Sequence, residues 1–176
     1  MDVFEKLTTA SRKRGLQYLV IGGYAVAAHG YGRTTRDVDI LASREDHDAW
    51  LEVFHAMGYT LLNDGGNFLQ FNPPAGEIWP VDIMLTNRPT FEGMLKESVT
   101  SAAGTSKIHV VSLNHLLALK FFVIKQNKPH RAHKDLDDVI HLINANRLDI
   151  RSVEFRQWVE KYGNDQLYEE LLNACK

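Results

Sequence analysis

Asp37 and Asp39 stand two residues apart at the head of an apolar run, Asp37-Val38-Asp39-Ile40-Leu41, and Asp82 lies inside another, Val81-Asp82-Ile83-Met84-Leu85. Successive side chains of an extended strand alternate between faces, so Asp37 and Asp39 share one side, a short distance apart. Neighbouring carboxylates repel unless something positive lies between them. Mg²⁺ suits that place: it takes oxygen ligands and is commonly held by one or two carboxylates plus substrate phosphates. A third carboxylate on an adjacent strand lets a second metal bind, or takes the proton of an attacking hydroxyl. Asp82 qualifies, because a carboxylate inside an apolar run is costly unless paired, hydrogen-bonded or bound to metal. The plainer alternative is a strand-end aspartate facing solvent. Together the three point to metal-dependent chemistry on a nucleoside triphosphate.

Several elements must position these residues. Leu16 to Ile21 reads as a strand, and Gly22-Gly23 opens an alanine-rich helix that runs to Gly30. Glycine has no Cβ, so the backbone there can approach a phosphate closely; a tight strand-to-helix turn is the plainer reading. Arg33 to Arg36 link into a strand over Val38 to Ala42. A helix over 2–14 precedes these elements, and a second over Arg44 to Met57 follows, with Trp50, Leu51, Phe54 and Met57 on one face and Gly58 as its stop. Leu61-Leu62 and Phe68 to Phe71 read as a hairpin turning at Asp64-Gly65-Gly66. Ile78 to Leu85 is the strand that carries Asp82, and Lys107 to Val111 a last short one. From Ser112 the pattern becomes helical, over Ser112–Gln126, His133–Ala145, Ser152–Lys161 and Asp165–Ala174. The expected division is an α/β core over 1–111 and a helical portion over 112–176, packed as one unit.

Gly-Gly after a strand, a short helix and then Arg33-Thr34-Thr35-Arg36-Asp37-Val38-Asp39 resembles the signature of the nucleotidyltransferase superfamily, the DNA polymerase β-like fold. The likeness runs over about residues 15 to 145 and is nearest to the AbiEii/MenA-type branch and its small relatives, which include toxins of toxin–antitoxin systems. Where the best-known superfamily pattern has Gly-Ser, this chain has Gly22-Gly23, so one hydroxyl on the triphosphate is missing. The resemblance implies an α+β fold, a mixed sheet with flanking helices and a helical half closing a nucleotide cleft. It implies Asp37, Asp39 and Asp82 as catalytic residues and ligands of Mg²⁺ or Mn²⁺. Gly22, Gly23, Arg33, Arg36, Lys120, Lys134, Asp135 and Asp138 would serve the nucleotide. Lys120 matches the branch's Leu-x-x-x-Lys helix, and Lys134-Asp135-x-x-Asp138 its closing motif. Snorkelling explains a lysine on an apolar helix equally well, and first-turn acids are favoured by the helix dipole alone. Asp137 is expected to be solvated. The implied reaction moves a nucleoside monophosphate from an NTP to a hydroxyl. The acceptor expected first is a tRNA 3′ end, with an aminoglycoside or a protein side chain as the alternatives, and a cognate antitoxin is an expected partner. A catalytically idle binding module and a phosphohydrolase are the rival readings.

Composition sets outer limits. A chain of 176 residues is most simply one domain and buries roughly 70% of its unfolded surface. Its 44% hydrophobic and 24% charged residues are those of an ordinary globular protein. One cysteine, Cys175, offers no internal disulfide, which suits a cytoplasmic setting. No stretch approaches the roughly 18 apolar residues of a membrane span. A net charge of −2 argues against a surface coated for bulk nucleic-acid binding; if tRNA is the acceptor, Lys125, Lys128, Arg131 and Lys134 are expected to form a local basic patch near the cleft. Histidine spacing such as His130-x-x-His133 gives no zinc site. Trp79 and Phe91 could stack on a base, with core packing the simpler role.

Overall fold

A computed structural model describes residues 3–126 and 129–175, with 129–132 described as backbone only. The chain groups into two units, Met1–Ala25 with Thr34–Ser112 and Val26–Arg33 with Leu113–Lys176. Lys128 lies outside the described residues, as does the side chain of Arg131, so the basic patch expected there has no structural counterpart to report.

The first unit is built on a mixed seven-stranded sheet in the order β3-β4-β5-β2-β1-β7-β6. Its strands are β1 (Leu19–Val20), β2 (Val38–Ser43), β3 (Thr60–Asp64), β4 (Phe68–Asn72), β5 (Val81–Thr86), β6 (Val99–Ala103) and β7 (Ser106–Val110). Pairings β2–β5 and β1–β7 are parallel and the rest antiparallel. Helix α1 (Val3–Lys13) buries Val3, Phe4, Leu7 and Ser11, one helical face, and packs against β7. Helix α2 (Gly22–Ala28) follows β1 directly. A 3₁₀ turn at Arg44–Asp46 leads into α3 (His47–Ala56), whose Trp50, Val53 and Phe54 are buried. Phe54 stacks on Phe71 of β4, with ring centroids 4.4 Å apart. Burial of large apolar side chains such as these stabilises the unit by roughly 1.5–3 kcal/mol each.

The second unit is helical: α5 (Leu113–Lys125), α6 (Pro129–Asn146), α7 (Val153–Tyr162) and α8 (Asp165–Ala174). Helix α5 contacts the other three, burying Leu116, Leu117 and Phe121 among Val139, Leu142, Ile143, Val159, Leu167 and Leu171. The start of α7 is fixed by Ser152, which accepts from the Phe155 amide at 3.2 Å. Asn164 caps α8 in the same way, accepting from the Leu167 amide at 2.9 Å.

Three departures from the sequence expectations have local causes. The strand expected from Leu16 begins at Leu19, because the Leu16 amide turns back to donate to the Ser11 carbonyl at the end of α1. The strand carrying Asp82 begins at Val81 and not Ile78: Pro80 has no amide to donate, and Ile78 is exposed. Between Leu85 and Lys107, where no element was expected, lie α4 (Arg88–Lys96) and β6. Asn87 caps α4 by accepting from the Thr90 amide at 2.9 Å, with Pro89 in its first turn, a position where a missing amide costs nothing.

Candidate active site

Parallel pairing of β2 with β5 sets Asp39 directly beside Asp82, and antiparallel pairing of β4 with β5 sets Gln70 on the other side of Asp82. Residues paired in register point to the same face of a sheet. The result is a polar row, Gln70–Asp82–Asp39, crossing three strands that are otherwise polar only at their last residues, Asn72, Thr86 and Ser43. Asp82 is 8% exposed, and the Gln70 amide donates to its Oδ1 at 3.3 Å. Gln70 was read in the sequence only as part of a hairpin strand. The signal for it was present, since a polar residue between Leu69 and Phe71 interrupts an apolar run as Asp82 interrupts the next strand.

The row ends at Gly22. The Ile21 amide donates to the Asp39 carbonyl at 3.0 Å, which ties the end of β1 to β2. Gly22 then adopts φ +60, and a Cβ built on it would fall 1.9 Å from Asp39 Oδ2. Two independent reasons therefore demand glycine: a left-handed backbone and a carboxylate occupying the side-chain space. The sequence reading gave this glycine to close phosphate approach; the structure shows the Asp39 carboxylate in that space. Gly23 is buried.

Asp37 precedes β2 and is half-buried. The Thr35 hydroxyl donates to its Oδ1 at 2.7 Å and fixes its rotamer. Arg36 is exposed and makes no ion pair among the described residues. Also among the described residues, no group of three or more His, Cys, Asp or Glu side chains is gathered as a preformed metal cluster. The donor set still fits a hard cation: the aligned pair Asp39 and Asp82 offers oxygen ligands only, which suits Mg²⁺ held by one or two carboxylates plus phosphates.

The remaining predicted residues lie in the second unit, where Arg33, Lys120, Asp135 and Asp138 form a charge cluster of their own. Asp138 is 0% exposed and accepts from Arg33 through both oxygens, at 2.6 and 2.9 Å. Lys120 donates to Asp138 and to Asp135, each at 2.7 Å. Burial pushes the Asp138 carboxyl up, but the bonds and charges of Arg33 and Lys120 outweigh it, so its pKa falls below the ordinary value. The expected phosphate-facing Lys120 is instead 6% exposed, with its ammonium held by two carboxylates. Lys134 is exposed. Asp137 is exposed, as expected, yet accepts from the Tyr31 hydroxyl at 3.2 Å, and the Tyr31 ring stacks on His141 at 4.0 Å. Phe91 is buried on α4, and Trp79 packs edge-on to Tyr24.

A family profile described as aminoglycoside-2''-adenylyltransferase matches residues 3–78, less than half the chain, including Gly22, Asp37 and Asp39 but ending before Asp82. The match is to this family, not to the AbiEii/MenA-type branch to which the motifs were likened. No curated protein matches the chain in sequence. Among solved structures, the chain resembles ANT(2'')-Ia in complex with adenylyl-2''-tobramycin, with a TM-score of 0.68 at 14% identity, covering 97% of this chain and 95% of that one. It resembles an antigenic nucleotidyltransferase-like protein from Paracoccidioides brasiliensis at 0.57 and 18%, covering 96% and 89%. It also resembles the lincosamide antibiotic adenylyltransferase LnuA, lincomycin-bound, at 0.57 and 15%, covering 79% and 93%. At these identities the likeness establishes the fold: this is a nucleotidyltransferase-fold chain, and the matched family and neighbours are nucleotidyltransferases.

Proposed function

We propose that the protein transfers a nucleoside monophosphate from an NTP to a hydroxyl of a small acceptor of the aminoglycoside type, with release of pyrophosphate. The observation that carries this reading is the register of β2 on β5, which aligns Asp39 with Asp82 beside a glycine that leaves room for the carboxylate. Asp39 and Asp82, joined by Asp37, would hold Mg²⁺ or Mn²⁺, which when bound neutralises charge on the triphosphate and lowers the barrier to displacement.

The chain's own groups do the rest. Asp82, largely buried and steadied by Gln70, is assigned the proton of the acceptor hydroxyl as that oxygen attacks the α-phosphorus. Asp37 is held ready by Thr35, so little rotamer freedom remains to be lost on binding. No covalent protein intermediate is needed, because positioning and fixed charge suffice for phosphoryl chemistry. Arg33, Lys120, Asp135 and Asp138 are assigned to shaping the second unit, as a buried ion cluster, in preference to direct contact with phosphates.

The acceptor class rests on two likenesses: a family profile for aminoglycoside adenylyl transfer, and folds described with an adenylylated aminoglycoside and with a lincosamide. The test is incubation of the purified protein with each α-labelled NTP, Mg²⁺ and, in parallel, an aminoglycoside, a lincosamide, total tRNA and a protein acceptor. Label on the aminoglycoside with stoichiometric pyrophosphate supports the reading. Label on tRNA alone would move the acceptor class, and no pyrophosphate with any acceptor would leave an idle binding module.

A further inference from the structure

A cavity of about 490 Å³ in the first unit, bordered by α1, the residues leading into β1 and the β6–β7 hairpin, uses none of the residues assigned above. Its chemistry is one-sided. Arg12, Lys107 and His109 line it, and among the described residues no Asp or Glu does. The chain has slightly more acidic than basic residues, 22 against 20, so carboxylates are not scarce; among the described residues they are absent from this wall. Arg12 and Lys107 make no ion pair among the described residues. Cations gathered in a concavity without a counter-charge repel one another, and an anion removes that cost.

Neutral donors complete the lining. The Tyr18 hydroxyl is hydrogen-bonded to Thr8 Oγ1 at 2.8 Å, and burial pushes its phenol pKa up, which keeps it protonated. On His109, the ring orientation is set by Ser98. The Ser98 hydroxyl hydrogen goes to the Leu95 carbonyl at 2.7 Å, so at the 3.3 Å contact His109 Nδ1 is the donor to Ser98 Oγ. Leu16 and Leu95 supply an apolar border. The volume lies in the range of small-molecule sites, larger than an inorganic ion needs.

We propose that this cavity binds a small organic phosphate, its phosphate group held between Arg12 and Lys107 and its organic body against Leu16 and Leu95. An arginine fork and a lysine point charge are the two usual protein partners of phosphate oxygens. The site is separate from the proposed catalytic carboxylates and needs no metal.

The test is amide NMR of the isotope-labelled full chain, with divalent cations chelated, titrated with AMP, inorganic phosphate and adenosine. Saturable shifts at Ser11, Arg12, Lys107 and His109 are expected with AMP, about tenfold weaker binding with inorganic phosphate, and no saturable shift there with adenosine. Arg12→Ala and Lys107→Ala should each weaken AMP binding by about tenfold, the scale of one charge-assisted hydrogen bond. Both side chains are exposed, so melting temperature should hold, and Arg12→Lys should restore part of the affinity. The proposal falls if AMP shifts nothing there, if adenosine or inorganic phosphate binds as well as AMP, or if both alanine variants bind AMP like the parent. Shifts at Gly22, Asp39 and Asp82 report the catalytic assignment separately, so either idea can fail without the other.

Discussion

A single strand pairing sets Asp39 beside Asp82, and substitution of these two aspartates is the sharpest residue-level test of the metal-ligand role proposed for them. Asn keeps the shape of each side chain while removing its charge. Asp39→Asn and Asp82→Asn should each reduce transfer by at least about a hundredfold, the scale on which electrostatic groups act on a transition state. Their melting temperatures should stay near the parent's or rise, because a like-charge contact is relieved. Activity near the parent's in either variant would remove the carboxylates from the chemistry. Gly22 makes the complementary prediction. A Cβ there meets Asp39 Oδ2 at 1.9 Å on a backbone of φ +60. The left-handed cost is about 1–2 kcal/mol, and overpacking adds about 1–3 kcal/mol. Gly22→Ala should therefore lower stability and activity together, as read by chemical denaturation and pyrophosphate release. Gly22→Ala behaving like the parent in both would show that the approach of Asp39 is not required.

At the scale of elements, the buried cluster joining α5, α6 and Arg33 makes a prediction about stability. Asp138→Asn leaves two cations with one fewer buried carboxylate, and breaking a buried pair in this way costs about 3–5 kcal/mol. Asp138 has a pKa below its ordinary 3.8 in the folded state. Its stabilisation is thus complete above that value and is lost as pH falls through the lower, folded-state pKa. Parent and Asp138→Asn should differ most near neutrality and converge in acid, as measured by denaturant unfolding across pH. A difference independent of pH would make the effect one of packing. Lys120→Ala should likewise lower stability, because it strips Asp138 of a partner; weakened NTP binding with unchanged stability would return Lys120 to the phosphate.

The same elements show what the sequence could and could not convey. The Asp165–Ala174 helix is found with the bounds its pattern predicts, since apolar spacing and an asparagine cap agree. The strand at Leu19–Val20 is two residues long because hydrogen bonds of the preceding loop, invisible to periodicity, claim its start. Helix α4 was hidden by Pro89, which reads as a breaker unless Asn87 is recognised as its cap. Asp37, Asp39 and Asp82 stand out as candidate site residues from their neighbours alone, but the register that sets Asp39 beside Asp82 does not. Gln70 shows as a polar break in an apolar run, but its place beside Asp82 depends on which strands pair and in what register, and the Arg33–Asp138 contact spans 105 residues of sequence.

Charge is the property that acts over the whole molecule, and it bears on the acceptor. A net charge of −2 and a pI near 6.4 give the chain no long-range attraction for RNA and a mild one for a polycation. A protein that neutralises several RNA or DNA phosphates loses roughly a thousandfold or more in affinity between 50 and 200 mM salt. A small cationic acceptor meets only a few surface charges, whose attraction is screened over roughly 8–10 Å at such ionic strengths. Transfer to an aminoglycoside should therefore show a KM that rises by less than about tenfold over that range, with kcat nearly constant. Steady-state kinetics at four or five salt concentrations, with tRNA assayed in parallel, provides the measurement. A steep salt dependence with tRNA, together with higher kcat/KM for tRNA than for any aminoglycoside at physiological salt, would overturn the small-acceptor assignment. The carboxylate pair and its nucleotide chemistry would stand, and the acceptor would then have to be recognised by local basic residues against the sign of the net charge.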